Sequence, residues 1–122
     1  MVNHSISADI AAMLRFLKRH LDPAKRRNPR MRGITNILNA APRIVCADGF
    51  SMSVQAGEAI YCTPRNSDGP WTAVEVGFPS AKADLLMPYA EEPDKPTDTV
   101  YGYVPVSVVA QVIIDHGGPQ VF

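Results

Sequence analysis

The sequence predicts an α+β domain: a small, mostly antiparallel β-sheet with an N-terminal amphipathic helix before it and a C-terminal apolar helix after it. Three observations carry this. Apolar residues recur at helical spacing from Ile10 to Leu21, an Asp48-Gly49 turn interrupts an alternating run, and the strand-like VYGYV at 100–104 leads through Pro105 into VSVVAQVII. With 122 residues and 46% hydrophobic content, the chain has material for one modest core and not for two. It reads as a single domain over 1–122, with a helix and basic loop at 1–42, a sheet core at 43–104 and a helical end at 105–122.

The first helix is expected from about Ala8 to His20, capped by Ser7, with Asp9 in its first turn and Lys18, Arg19 and His20 in its last. Ile10, Met13, Leu14, Leu17 and Leu21 form one stripe, which needs a sheet or another subunit to cover it. The following DPAKRRNPRMRG (22–33) has two prolines, five basic residues and no periodicity, so it reads as a loop. Residues 34–41 (ITNILNAA) fit a short helix or an extended lead-in equally.

Asp48-Gly49 suits a two-residue hairpin turn, because both residues tolerate positive φ. That turn pairs Ala47 with Phe50, Val45 with Met52 and Arg43 with Val54 on an apolar side, leaving Ile44, Cys46, Ser51 and Ser53 on the other. Ala59–Thr63 reads as a third strand stopped by Pro64, and RNSDGP (65–70) as a turn. Thr72–Phe78 reads as the next strand, with Thr72, Val74, Val76 and Phe78 on one face; Gly77 marks a close approach beside Phe78. Residues 80–98 read as an exposed acidic loop, and Val100–Val104 as the last strand. Pro105 then opens a helix to His116 that Gly117-Gly118 ends. Being apolar nearly all round, that helix is expected to pack on the sheet and also on a subunit interface.

Composition narrows the functions open to the chain. No apolar run is long enough to cross a bilayer, and MVNHSISAD lacks a signal-peptide layout, so a cytosolic protein is expected. Cys46 and Cys62 lie sixteen apart, match no metal or redox spacing, and are read as reduced packing residues. Residues 1–43 hold nine Lys/Arg and two acids, a net +7, and residues 44–122 a net −7. A chain with no overall positive charge is poorly suited to long nucleic acid, whereas a small anion needs only a few arginines. No histidine pair, nucleophile elbow, P-loop or dinucleotide fingerprint is present, so no catalytic residue, metal or cofactor is assigned and a non-enzymatic binding role is favoured.

Arginines and aromatics in turns are what the chain offers instead. Arg65 follows Pro64 and precedes Asn66, with Trp71 across the turn and Phe78 at the end of the next strand. A guanidinium pairs with phosphate, a flat ring stacks on a base, and an amide reads a polar edge. Arg43, Arg30, Arg32 and Tyr101 complete the candidates. Plainer roles stand beside these: Trp71 and Phe78 as core, Asn66 as a turn former, Arg65 as a partner of Asp68, and the basic loop as a solvated linker.

The runs RIVCADGFSMSVQAGEAIYCTPR, GPWTAVEVGFPS and TVYGYVPVSVVAQVIIDHGG, more than half of the chain, resemble small phage-encoded proteins. DGFSMSVQA and VYGYVP are the most distinctive strings. The chain is similar to the phage anti-Thoeris sponge family, whose members bind cyclic ADP-ribose signals made by bacterial TIR proteins. The resemblance implies a homo-oligomer, a dimer or larger, that acts in the host cytoplasm. It would hold its signal at a subunit interface without cleaving it, and in some members capture cyclic di- or trinucleotides elsewhere. It puts Arg65, ending CTPR, on phosphate and Phe78, in GFP, on a base. The competing expectation is an inhibitor that works by protein contact, in the manner of an anti-CRISPR, with the acidic 84–98 loop mimicking nucleic-acid charge. An accessory protein with no ligand is a third.

Overall fold

The computed structural model describes residues 5–23 and 41–120. Arg30 and Arg32, with Lys25, Arg26 and Arg27, lie outside the described residues, as does most of ITNILNAA. Along the chain come α1 (Ser5–Leu21), β1 (Ile44–Val45), β2 (Ser51–Gln55), β3 (Ala73–Gly77), a 3-10 helix (Asp84–Tyr89), β4 (Val100–Pro105) and α2 (Val106–Asp115). The sheet runs β1-β2-β3-β4, antiparallel throughout. The α+β architecture is the expected one, and several of its details are not.

The hairpin register differs by one residue. Ile44 pairs with Met52 and Val45 with Ser51, so three residues, Ala47, Asp48 and Gly49, form the loop. The Gly49 amide donates to the Cys46 carbonyl at 2.9 Å and the Cys46 amide to Phe50 at 2.7 Å, while Gly49 sits at φ +95. This is a turn closed by a glycine bulge. A one-residue slip moves a strand's side chains to the opposite face. Ile44 and Cys46 therefore join Phe50, Met52 and Val54 in the core, and Arg43 and Val45 face outward.

No third strand forms over Ala59–Thr63. Local turns take Ile60 to Gly57 at 3.2 Å and Cys62 to Ile60 at 2.8 Å, Tyr61 meets the sheet through single bonds, and the segment's one β-bridge is Thr63 to Ala73. The acidic segment carries more structure than expected of a loop. Its 3-10 helix buries Leu86 completely, Ala90 bridges to Tyr101, and the Glu91 amide donates to Val100 at 2.9 Å.

The helices close the core over one sheet face. In α2, Val109, Ala110, Val112 and Ile113 are buried, and Val106 and Val108 pack against them. Pro105 is the residue before the first turn and not inside it, with φ −55 and the Val106 amide tied to the Thr72 carbonyl. Gly118 donates to Ile113 and Gly117 to Ile114, the bond pattern of a left-handed glycine cap. α1 starts at Ser5, so Ser7 lies within the helix and does not cap it. Its Leu17 and Leu21 are buried, and it packs mainly on α2. The second side of the apolar helix is thus covered by the chain's own N-terminal helix. Among the described residues no helix is long and apolar enough to cross a membrane.

Candidate functional site

The residues of interest come from the outward face of the sheet and the turns at its two ends. β4 carries an irregularity: Val74 pairs with Val104 but Val76 with Tyr101, so Gly102 and Tyr103 together stand opposite Glu75. Such a bulge re-aims side chains. Simple alternation puts Tyr101 and Tyr103 on the same face; here Tyr103, at φ +54, turns outward and is 46% exposed. Tyr101 points into the core with no exposed surface, and its hydroxyl donates to the Pro96 carbonyl. Burial pushes the Tyr101 hydroxyl's pKa up. As a ligand-stacking candidate it is therefore corrected: it is a core residue.

Around Tyr103 the 57–65 segment folds over the sheet. The Tyr103 amide donates to the Tyr61 carbonyl at 3.0 Å, and the Tyr61 amide to a Glu75 carboxylate oxygen at 3.3 Å. The two rings lie 5.9 Å apart, tilted by 36°. Gly102 makes this possible, since a Cβ there would stand 3.2 Å from the Tyr61 Cβ. The close approach read into Gly77 occurs at Gly102 instead; a Cβ at Gly77 meets only ordinary contacts, at 3.7 Å or more. The guanidinium carbon of Arg65 lies 5.9 Å from the Tyr61 centroid, within cation–π reach. Arg65 is exposed and makes no ion pair with Asp68 or with any other described carboxylate.

Thr63, two residues before Arg65, bridges to Ala73, the first residue of β3, whereas Phe78 follows the last. It is 48% exposed at φ +49, so it leaves the buried face that Val74 and Val76 share. Its carbonyl accepts from Arg43 Nη2, and Arg43 also donates to Ser51 Oγ at 2.9 Å and to the Ser51 carbonyl. The structure thus sets Arg65 over Tyr61, which packs against Tyr103, and ties Arg43 to the Phe78 carbonyl. It does not bring Arg65 and Phe78 together within one chain.

Asn66 and Trp71 serve their own turn. Asn66 Oδ1 accepts from the amides of Asp68 at 3.1 Å and Gly69 at 2.7 Å, and its carbonyl takes Trp71 Nε1 at 3.3 Å. The Trp71 ring lies against Gly69 and the edge of the core. Tyr61 and Tyr103 are the residues that sequence reasoning passed over. The signal for both was Gly102 between two tyrosines, since a glycine inside a strand marks a bulge or a close neighbour.

A cavity of about 210 Å³ opens elsewhere, between Lys82, Asp84, Leu85, Val112, Asp115 and His116. Lys82 is matched there by Asp84 at 4.0 Å, with Asp115 beside them, so an anion gains little. His116 Nδ1 lies 2.7 Å from Asp48 Oδ2 and its ring stacks on Phe50 with centroids 4.0 Å apart. The Phe50 amide and then this ring lower the Asp48 pKa. Burial, with help from Asp48, pushes the Cys46 thiol up to about 11. Both cysteines are buried and free, and among the described residues no group of three His, Cys, Asp or Glu side chains is placed to hold a metal ion. The chain matches no family model, no curated protein and no solved structure.

Proposed function

We propose that the protein binds a cyclic nucleotide immune signal, of the cyclic ADP-ribose type, and holds it without breaking its bonds, as a phage-encoded sponge. The observation that carries this reading is Arg65 over the Tyr61 ring beside Tyr103, all three exposed and the cation without a carboxylate partner. A cation and flat rings in one patch suit a phosphate joined to a base. Magnitudes then speak for an oligomer. One base–ring stack is worth about 1–3 kcal/mol, and one hydrogen bond to a charged group about 1.5–3 kcal/mol. Their sum corresponds to roughly millimolar binding, far weaker than sequestration needs. A second copy contributing further arginines and rings would supply the difference, as the resemblance implies.

Purified protein mixed with a cyclic ADP-ribose isomer is expected to bind it and to return it intact on heat denaturation. A cleaved product would replace the sponge with a hydrolase, and no binding to any cyclic nucleotide would remove both.

A second reading has its own support. Glu91, Glu92, Asp94 and Asp98 are exposed on a segment fixed by the Glu91–Val100 and Glu92–Thr99 hydrogen bonds, so their charges are held in a set pattern. This suits a mimic of nucleic-acid charge that acts on a protein. Charge reversal at Asp84, Glu91, Glu92 and Asp94 should abolish mimicry and spare a sponge; Arg65→Ala with Phe78→Ala should do the opposite.

A further inference from the structure

Among the described residues, two that are not glycine adopt left-handed backbone, Phe78 at φ +49 and Tyr103 at φ +54. Both are aromatic, and both are close to half exposed. A bulky residue in that region is strained, by about 1–3 kcal/mol, and persists only where its surroundings or a function hold it there. For Phe78 the surroundings explain much: its carbonyl receives Arg43 and its amide bonds to Thr99 at 3.0 Å. At Tyr103 the amide bond to Tyr61 accounts for the backbone, but a glycine would make that bond with less strain. Its side chain is 46% exposed, so beyond the contact with Tyr61 a large part of the ring faces outward, open to a ligand.

We infer that Tyr103 is a ligand-stacking residue: with Tyr61 it forms a two-ring shelf for a nucleobase, and Arg65 takes the attached phosphate. This rests on the nucleotide-binding reading above and adds residues to it. The bulge at Gly102-Tyr103 is the device that turns the ring outward, and Gly102 is the gap that lets Tyr61 lie beside it. The tilt of 36° leaves the rings as two facets and not one plane, a shape that meets a base on one facet and its sugar on the other. Glu75, which accepts from the Tyr61 amide, closes the side of the shelf nearest β3. Its negative charge works against an anion on that side, so the phosphate belongs at the Arg65 end.

The test is titration calorimetry on the full chain with a cyclic ADP-ribose isomer, with adenosine and pyrophosphate as separate competitors, together with thermal melts. Tyr103→Gly is expected to weaken binding about tenfold or more, the worth of one base stack, with a Tm close to wild type because relief of backbone strain offsets the lost contact with Tyr61 and the freer unfolded chain. Tyr103→Phe keeps the ring and should bind within about threefold of wild type. Tyr103→Asn, which tolerates the same backbone, repeats the loss should the glycine variant fold poorly. Adenosine should compete in wild type but not in Tyr103→Gly, and pyrophosphate in both. Binding unchanged in Tyr103→Gly and Tyr103→Asn overturns the assignment and leaves the sponge reading standing. Wild-type protein that binds no cyclic nucleotide overturns both.

Discussion

Asp48 uses its two oxygens for different purposes. Oδ1 accepts the Phe50 amide at 2.9 Å and so holds the hairpin turn, while Oδ2 meets His116 at the end of α2. Its pKa is lowered from 3.8, first by the amide and then by the ring, so its contribution to stability is present above that ordinary value. It disappears as pH falls through the lower folded-state value. Wild-type melting temperature is therefore expected to drop in acid below about pH 4, and Asp48→Asn to give a shallower acid limb in melts taken across that range. At Gly102 the constraint is steric. A methyl group 3.2 Å from the Tyr61 Cβ must displace that ring, so Gly102→Ala should weaken nucleotide binding with a smaller effect on Tm. A glycine inside a strand marks such an approach, whereas the role of Asp48 was only half legible. Asp48 reads as a turn former, which it is, but its bond to His116 spans 68 residues.

Elements decide how the two helices share the apolar surface. α2 has the sheet and the 3-10 helix on one side and α1 on the other, and Leu17 is 1% exposed in that seam. Leu17→Ala is expected to cost about 2–5 kcal/mol in urea unfolding, and a loss below 1 kcal/mol would mean that α1 contributes little to the fold. In the hairpin, Gly49 at φ +95 has open space around any added Cβ, so Gly49→Ala is penalised for conformation alone, by about 1 kcal/mol. α1 and β3 were readable from periodicity, because burial of one face imposes it, and β4 and α2 from an apolar run punctuated by Pro105 and closed by Gly117-Gly118. The one-residue register difference was not. Asp-Gly suits both a two-residue turn and a three-residue loop with a bulge, and the choice falls to whichever strand face the core accepts. Ile44 and Cys46 fill that core better than Val45 and Ala47.

At the scale of the whole molecule, a single chain offers a patch and not an enclosure for Arg65, Tyr61 and Tyr103. Native mass spectrometry of protein purified from cells that make nucleotide signals is expected to give at least a dimer carrying a small molecule, and a bare monomer would count against sequestration. The sequence by itself determined the architecture and the chemistry available: helical and alternating patterns select elements, glycine pairs and prolines end them, and arginines with aromatics in turns limit what can be bound. Only the tertiary structure decided which of those groups meet. It buried Tyr101, exposed Tyr103, kept Asn66 and Trp71 for their own turn, and set Arg65 and Phe78 at opposite ends of a strand. The physical reason is that a bulge or a register slip reverses the direction of a side chain at almost no cost to composition or pattern, so the sequence carries only a faint trace of it.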